Sequence, residues 1–347
     1  MKPSFCAIAN RQLGEDLIGT ASCYQTYVLI ECPLPWSAKV WTSVCIPPEL
    51  RQYIKAIKTT RSVQFLAINR SAASVDDSVT MMVYEKTVPS NLASPAAEII
   101  YESALAYWGY EFQIEDLTQV VNTLEAHWQG DRLGKPITQQ DILVCTHGMR
   151  DKCCAKFGQP FFRKATQRAK QGKLPNTRIW RVSHIGGHRF APTAISLPDG
   201  RYYGRLTLST LQAIVTRTGG INQIRSVYRG WGLLPAPLQV LERQLWLDYG
   251  WSWLDCSVSY RILSETVPAK GQGRSLSVEV SVSSKVNNKT DIYRATLVQD
   301  PQNSICTQAS CDNAVATPIV KYEVKECLAM QLAVTSDLYQ KREVPAP

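Results

Sequence analysis

Two short segments hold three of the chain's four histidines and three of its eleven cysteines. The first covers residues 145–154 (CTHGMRDKCC), and the second covers residues 183–190 (SHIGGHRF). Each begins at the carboxyl end of a predicted strand, where α/β folds usually place their functional sites. The fold therefore has to carry two loops rich in metal-binding side chains, and this clustering indicates a metal or redox site.

The second segment is predicted to be a loop. His184 and His188 are four residues apart and would share one face of a helix. Gly186 and Gly187 stand between them, and two adjacent glycines disfavour a helix. In a loop, the glycines allow backbone N–H groups to approach a cluster and to donate hydrogen bonds to sulfur.

The first segment is predicted to end a strand and start a helix. Cys145 closes the apolar strand 141–145, and Asp151 is a suitable N-cap for a helix that includes Cys154 in its first turn. The positive end of the helix dipole favours the thiolate, which is the form of cysteine that binds metal.

Several kinds of site compete for these residues. A tetrahedral zinc site suits the His-x₃-His spacing, but the eight residues between Cys145 and Cys154 exceed the spacing usual in zinc fingers. A Rieske centre would need a further Cys-x₂-His element, which the chain lacks. A mixed [2Fe–2S] site with two cysteines and two histidines needs ligands on two neighbouring loops, as these segments supply. A thiol oxidoreductase using the adjacent Cys153 and Cys154 would lack a Cys-x-x-Cys motif.

The predicted elements favour an α/β protein in three parts, which suits a length of 347 residues. An N-terminal domain over residues 1–130 contains strands and helices in β-α-β-β order, with strands at 24–36, 63–69, 79–84 and 98–102 and helices from Pro47 and over 117–128. A similar order recurs over residues 131–255, with strands at 141–145, 177–183, 194–197 and 202–206 and helices over 160–171 and 209–218.

This order, with its hairpin, is typical of a thioredoxin-like domain, so two such domains are predicted, each with a central mixed sheet flanked by helices. From residue 256 the pattern changes to period-two alternation, which predicts a β-rich C-terminal extension over residues 256–347. The scattered cysteines are expected to be small buried hydrophobic residues: Cys6, Cys23, Cys32, Cys45, Cys256 and Cys327.

The net charge of +9 raises the question of an anionic partner. The densest basic stretch of the chain, residues 163–181, has no acidic residue. It contains Lys164, Arg168, Lys170, Lys173 and Arg178. This stretch is either a solvated helix face or a docking surface for an acidic redox partner. The other basic residues are dispersed, so a nucleic-acid partner is not expected. No apolar stretch suits a membrane helix, and the first residues lack the apolar core of a signal peptide, so we expect a cytoplasmic protein.

The two segments resemble the sucrase/ferredoxin-like family. The resemblance rests on Cys-Thr-His-Gly-x-Arg-Asp-x-x-Cys followed by Ser-His-Ile-Gly-Gly-His-Arg-Phe-Ala, and it extends over about residues 5–250, including Gly14-Glu15-Asp16. Some members are thioredoxin-like ferredoxins that bind a [2Fe–2S] cluster with two cysteines and two histidines.

Carried over by position, the resemblance implies that Cys145, Cys154, His184 and His188 are the ligands. The second family cysteine lies nine residues after the first, which selects Cys154 over Cys153. The resemblance also implies residues that orient the ligands or contact the cluster: His147, Arg150, Asp151, Cys153, Gly186 and Gly187. The expected function is electron transfer or redox sensing with a reductase or acceptor protein as partner. No carboxylate pair supports glycoside cleavage, and a hydrolase is not expected.

Overall fold

The protein has a mixed α/β architecture with a large central sheet and a β-rich C-terminal part. A computed structural model describes residues 5–70, 78–86, 100–102, 107–131, 133–266, 273–284, 289–299 and 305–330. In these residues the chain forms six α-helices and three sheets. No helix in the described parts of the chain combines the length and the apolar composition that a membrane crossing needs.

The N-terminal part forms one half of the central sheet. Its elements are α1 (Cys6–Gln12), β1 (Thr26–Glu31), α2 (Pro48–Thr60), β2 (Val63–Asn69), β3 (Val79–Lys86), β4 (Ile100–Glu102), β5 (Tyr107–Ile114), α3 (Val120–Gln129) and β6 (Lys135–Pro136). β1 runs parallel to β2 and antiparallel to β3, and β3 pairs with β5. One face of this half packs against α2 and α3 through an apolar cluster that includes Leu50, Ile54 and Leu124.

The next part repeats this arrangement. Its elements are β7 (Gln140–Cys145), α4 (Gln159–Lys170), β8 (Thr177–Val182), β9 (Ala194–Leu197), β10 (Arg201–Tyr203), α5 (Leu208–Thr216), β11 (Tyr228–Trp231) and α6 (Ala236–Tyr249). β7 runs parallel to β8 and antiparallel to β9, and β9 pairs with β10. When α1, β4 and β6 of the first half and β11 and α6 of the second are left aside, both halves share a β-α-β-β-β-α order with the same strand neighbours.

The two halves meet where β2 pairs antiparallel with β8, the corresponding strand of the other half. In the part of the chain that the structure describes, the paired residues of this seam are Ile68 with Val182 and Asn69 with Arg181. The halves also contact face to face: the Tyr27 and Tyr202 hydroxyls lie 2.7 Å apart, and the Tyr84 hydroxyl donates to Asp141. The result is one ten-stranded sheet and a core shared by both halves.

The C-terminal part is β-rich, as the alternation predicts. Its strands are β12 (Cys256–Thr266), β13 (Ser275–Ser284), β14 (Thr290–Gln299), β15 (Ile305–Ser310), β16 (Asn313–Ile319) and β17 (Tyr322–Met330). β12, β13, β14 and β17 form an antiparallel sheet whose edge is β4, contributed by the N-terminal part. β15 and β16 form a separate hairpin, which packs against α1 and the turn at residues 188–190.

The sequence predicts most of these elements, with corrections in the N-terminal part. β4 pairs with the C-terminal sheet rather than with its predicted neighbours, and residues 98–99 of that predicted strand lie outside the described residues. β5 is missing from the prediction because Gly109 interrupts its pattern. A Cβ at Gly109 would lie 2.5 Å from the Tyr84 ring, so this glycine serves close packing and not a turn. α1, with only seven residues, is too short to show an apolar period.

Candidate metal centre

The site lies at one edge of the sheet because β7 and β8 are parallel neighbours. Cys145 is the last residue of β7 and pairs with Val182, the last residue of β8. Ser183 then ties the second segment to the other half: its backbone N–H donates to the carbonyl of Ala67 (2.8 Å), and the Ala67 N–H donates to the Ser183 Oγ (3.1 Å). His184 therefore leaves the sheet beside Cys145.

The predicted cap at Asp151 is confirmed. Its Oδ1 accepts a hydrogen bond from the backbone N–H of Cys153 (2.8 Å). The following turn, Cys154–Gly158, is π-helical and continues into α4. Such single π turns are frequent at functional sites. The side chains of Cys153 and Cys154 point to different places: the Cys153 sulfur lies near those of Cys6 and Cys311, and the Cys154 sulfur near that of Cys145.

The structure brings three of the four predicted ligands together. The sulfurs of Cys145 and Cys154 lie 3.3 Å apart, and the Cys154 Sγ lies 4.0 Å from the Nδ1 of His184. The ligand atoms of these three residues all lie within 4.8 Å of one another. His188 is not part of that group, but its ring is next to the ring of His184, with 5.0 Å between the ring centroids.

The surroundings of the two cysteine sulfurs favour negative charge on one of them, the Cys145 sulfur. The hydrogen bond between the two thiols lowers the pKa of Cys145, against burial, which raises it, and His184 lowers it further. The same contact raises the pKa of Cys154, and burial adds to that increase. The lowered pKa of Cys145 favours its thiolate, which is the form of cysteine that binds metal.

Asp151 faces His188 from the other side of the site. Its Oδ2 lies 3.6 Å from the His188 Nε2. Burial raises the pKa of Asp151, but hydrogen bonds from the backbone N–H groups of Cys311 and Cys153 outweigh it and lower the pKa. Asp151 is therefore a carboxylate placed to orient the His188 ring, a contact of the kind that metal-binding histidines usually make.

The glycines of the second segment allow the side chain of Arg229 to approach the backbone closely. Gly186 and Gly187 both have positive φ, 76° and 70°. A Cβ on Gly187 would lie 2.5 Å from the guanidinium carbon of Arg229. The loop prediction is confirmed at both positions, since the residues between the histidines form no helix.

Arg229 is a functional candidate that the sequence does not reveal. It is 2% exposed, and its guanidinium donates to the carbonyls of Gly186 (3.1 Å) and Thr20 (2.7 Å). Burial lowers its pKa to about 10. The structure gives it no carboxylate within ion-pair distance among the described residues. Arg229 is thus a buried cation beneath the second segment, and it favours negative charge in the site above it.

Two other residues that the family resemblance implies, His147 and Arg150, also lie near the site. His147 Nε2–H donates to the carbonyl of Ser37 (2.8 Å), and its ring packs edge-on against Trp36. Burial lowers the pKa of His147. His147 therefore fixes the first segment to the N-terminal part, and Arg150 is exposed at the rim.

An ion pair with Glu15 also holds the second segment in place. Arg189 donates two hydrogen bonds of 2.9 Å to the buried carboxylate of Glu15. Lys321, in the C-terminal part, lies 3.2 Å from the same carboxylate. Asn10 of α1 donates to it as well. The residue after His188 is thus held by both ends of the described chain.

Two cavities open beside His184. One, of about 200 Å³, is lined by Tyr24, Leu66 and Tyr202. The other is a wider groove of about 510 Å³. Its lining includes five cationic side chains and, among the described residues, no carboxylate: Lys39, Arg51, Lys55, Lys58 and Arg150. The predicted basic stretch lies elsewhere, on α4 and β8, and its Arg178 is paired with Asp141 and Glu111.

Comparison with known proteins gives a family and a set of partial relatives. A family model described as sucrase/ferredoxin-like matches residues 17–230. A protein of Meyerozyma guilliermondii called altered inheritance of mitochondria protein 32 is 32% identical over 102 residues, which are 27% of this chain and 36% of that protein. Its namesake in Debaryomyces hansenii is 34% identical over 96 residues, 26% of this chain and 34% of that protein.

The chain spans about a third of the length of these curated relatives, 36% and 34%. No solved structure matches it. The family match is more extensive, since residues 17–230 are more than half of the 347 residues and contain both segments of the site. The chain therefore belongs to the sucrase/ferredoxin-like family.

Proposed function

We propose that this protein holds a [2Fe–2S] cluster with Cys145, Cys154, His184 and His188, and that it transfers electrons or senses redox state. The observation that carries the proposal is the pair of sulfurs 3.3 Å apart, with the His184 Nδ1 4.0 Å from one of them and the His188 ring beside it. When bound, such a cluster supplies one-electron redox chemistry.

The donor set fits this group. Two tetrahedral thiolate ligands of one metal atom lie about 3.8 Å apart when each metal–sulfur bond is about 2.3 Å, and the two cysteine sulfurs are close to that separation. In Rieske-type centres two histidines serve the second iron. The rings of His184 and His188 are neighbours, with 5.0 Å between their centroids, which supports binding of both to one iron.

The topology supports the finer assignment of the fold. We propose that each half of the central sheet is a thioredoxin-like unit, because each has a parallel βαβ element followed by an antiparallel hairpin and a helix. The second unit would carry the cluster at the carboxyl ends of β7 and β8.

A second candidate is a zinc-stabilised binding module without redox activity. The favouring observation is that the ligand atoms of Cys145, Cys154 and His184 lie within 4.8 Å of one another, so that one ion could bind all three. This candidate requires His188, or another donor, to move in as the fourth ligand.

The test is the composition of the protein purified without oxygen. If the cluster is bound, the protein should contain two irons and two sulfides per chain. It should be red-brown, with visible absorption that dithionite bleaches. Zinc at this site predicts a colourless protein without sulfide. If the protein reconstituted with iron and sulfide also remains colourless, the proposed cluster is wrong.

Histidine ligation and Arg229 would act together on the reduction potential. Neutral imidazoles in place of two thiolates raise the potential relative to ferredoxins with four cysteines. A buried guanidinium favours the more negative, reduced state by simple attraction. The donated hydrogen bond to Gly186 keeps this charge directly under the loop that carries both histidines.

We expect Arg229→Met to lower the midpoint potential by tens of millivolts, the equivalent of a charge interaction of about 1–2 kcal/mol at an effective dielectric constant of about 20. Spectroelectrochemical titration measures this shift. Arg229→Lys is the control, because it keeps the charge and loses the forked hydrogen bonds to Gly186 and Thr20. Equal potentials in Arg229→Met and the wild type would show that Arg229 is only structural.

The basic groove beside His184 supports an acidic redox partner. Its five cations surround an opening that reaches one of the proposed ligands, and charge complementarity steers encounter between redox proteins. The groove is a better-placed docking surface than the predicted stretch on α4, which does not line either cavity at His184.

Two small oxidants of opposite charge can test whether the positive charge of the groove lies near the site of electron transfer. We expect the dithionite-reduced protein to react with anionic ferricyanide faster at low salt than at high salt, and Lys55→Glu with Lys58→Glu to lower that rate about tenfold or more. The same change should speed oxidation by cationic tris(phenanthroline)cobalt(III). The matched control is Lys170→Glu with Lys173→Glu on the other basic surface. Equal effects of the two double variants would contradict docking at the groove.

The state of the cysteines supports a reducing compartment, and we propose the cytoplasm. All eleven cysteines are free thiols in the structure. Cytosolic proteins are kept in that state, whereas secreted chains rich in cysteine usually form disulfides. The yeast relatives carry a name that refers to inheritance of mitochondria, which makes a role connected with that organelle a further point to examine by fractionation.

A further inference from the structure

A second cluster of cysteines lies next to the first site. The sulfurs of Cys6, Cys153 and Cys311 form a nearly equilateral triangle: Cys6 to Cys153 is 3.4 Å, Cys153 to Cys311 is 3.3 Å and Cys311 to Cys6 is 3.6 Å. A carboxylate oxygen of Asp151 lies within 4.8 Å of all three sulfurs. The prediction that Cys6 is merely a small buried residue does not account for this convergence.

Three distant parts of the chain meet at this point. Cys6 is the first residue of α1, Cys153 is in the turn before α4, and Cys311 lies between β15 and β16. The sequence separations are 147 residues from Cys6 to Cys153 and 158 from Cys153 to Cys311. Local chain geometry therefore cannot explain why the three side chains point at one another.

The carboxylate is held in place for the group. Asp151 Oδ2 accepts from the backbone N–H of Cys311 (3.1 Å), while its Oδ1 accepts from the N–H of Cys153. The Ala7 N–H points at the Cys153 sulfur (3.4 Å), a contact of the kind that stabilises metal-bound thiolates. Cys6, Cys153 and Asp151 are 0%, 0% and 2% exposed, whereas Cys311 is partly exposed, so three of the four groups are shielded from water.

We propose that Cys6, Cys153, Cys311 and Asp151 bind one zinc ion as a structural site, separate from the site of Cys145 and Cys154. Three thiolates and one carboxylate are a suitable tetrahedral donor set for zinc. The sulfur separations of 3.3–3.6 Å are close to the value of about 3.8 Å that metal–sulfur bonds of about 2.3 Å imply for a tetrahedral ion.

The geometry disfavours the other uses of three cysteines. A disulfide would join two sulfurs and leave the third, but the triangle has no distinctly closer pair and has a carboxylate over it. A cluster of four irons takes one thiolate per iron and needs its ligand sulfurs farther apart than those of a single ion. One ion uses all four groups at once.

The zinc would fasten both ends of the described chain to the proposed redox site. Cys6 and Cys311 lie outside residues 17–230, the part that matches the family, whereas Cys153 lies inside it. The side chain of Cys153 faces this ion and that of Cys154 faces the neighbouring site. Metal binding that occurs only in the folded state stabilises that state, so the N-terminal helix and the C-terminal hairpin gain a common anchor.

Metal analysis of the full-length protein tests the proposal. We expect about one zinc per chain, with X-ray absorption at the zinc edge showing three sulfurs at about 2.3 Å and one oxygen at about 2.0 Å. Cys6→Ser and Cys311→Ser should each reduce the zinc to a small fraction while the iron and sulfide remain as in the wild type. Cys32→Ser, a buried cysteine outside both groups, is the matched control and should retain the zinc.

The zinc and iron contents are measured independently, so the two proposals can fail separately. A wild-type protein without zinc, even after incubation of the reduced chain with zinc chloride, would overturn the second site. A disulfide between two of the three cysteines in protein isolated under reducing conditions would also overturn it. Zinc retained at the wild-type level in both Cys6→Ser and Cys311→Ser would assign the metal to other groups and would overturn the second site as well.

Discussion

Cys154→Ser is expected to remove the visible absorption and to lower the iron content more than tenfold, and Cys145→Ser to do the same. The two sulfurs lie 3.3 Å apart and are the only two thiols of the described chain grouped with His184. Groups that merely orient metal ligands are worth about 10–100-fold in metal affinity, so a ligand itself should be worth more. Absorption spectra and metal analysis of variants purified in parallel measure the loss.

Cys153→Ser is the discriminating variant, because it changes the adjacent residue. The Cys153 sulfur lies in the triangle with Cys6 and Cys311, so this variant should retain the visible bands and lose the zinc. If Cys153→Ser bleaches the protein and Cys154→Ser does not, the assignment within the pair is reversed. Cys32→Ser should affect neither metal.

A second large effect is expected at Gly158, the last residue of the π-helical turn. A Cβ there would lie 2.0 Å from the carbonyl oxygen of Cys145 and 3.1 Å from its carbonyl carbon. Both atoms are backbone atoms at the end of β7, so neither can move without shifting the strand. Gly158→Ala should therefore separate the turn from the strand, and with them the sulfurs of Cys154 and Cys145.

We expect Gly158→Ala to destabilise the protein by about 1–3 kcal/mol, the usual cost of overpacking, and to reduce cluster occupancy as well. Thermal unfolding and iron content measure the two effects. Gly220→Ala is the matched control, since a Cβ at Gly220 meets nothing within 4 Å. Unchanged stability and iron content in Gly158→Ala would mean that the close approach of turn and strand is not needed.

The sequence predicts the location of the site because local patterns determine it. The apolar strand ending at Cys145, the cap at Asp151 and the glycines between the histidines are each recognisable within a few residues. Parallel pairing of β7 and β8 then brings the two segments to one edge. The fold class follows from the same kind of information, because strand and helix order can be recognised one element at a time.

The rest depends on contacts between residues distant in the sequence. Arg229 is the second residue of β11 and has no motif around it, and only the fold places it next to Gly187. Cys6 and Cys311 are single cysteines in unremarkable surroundings, 305 residues apart. No spacing rule relates them. The cationic lining of the groove beside His184 likewise depends on the fold, because α2 and the loop before it bring Lys39, Arg51, Lys55 and Lys58 together.

The seam between β2 and β8 has a consequence for how the chain could be divided. Each half presents the corresponding edge strand to the other, in antiparallel orientation and through two residue pairs. A strand released from this pairing exposes unpaired backbone N–H and C=O groups, and these can form hydrogen bonds with another strand. Two separately expressed halves would therefore be expected to reassemble without a covalent link, whereas the second half alone would tend to pair with its own copy through β8 and form a symmetric dimer.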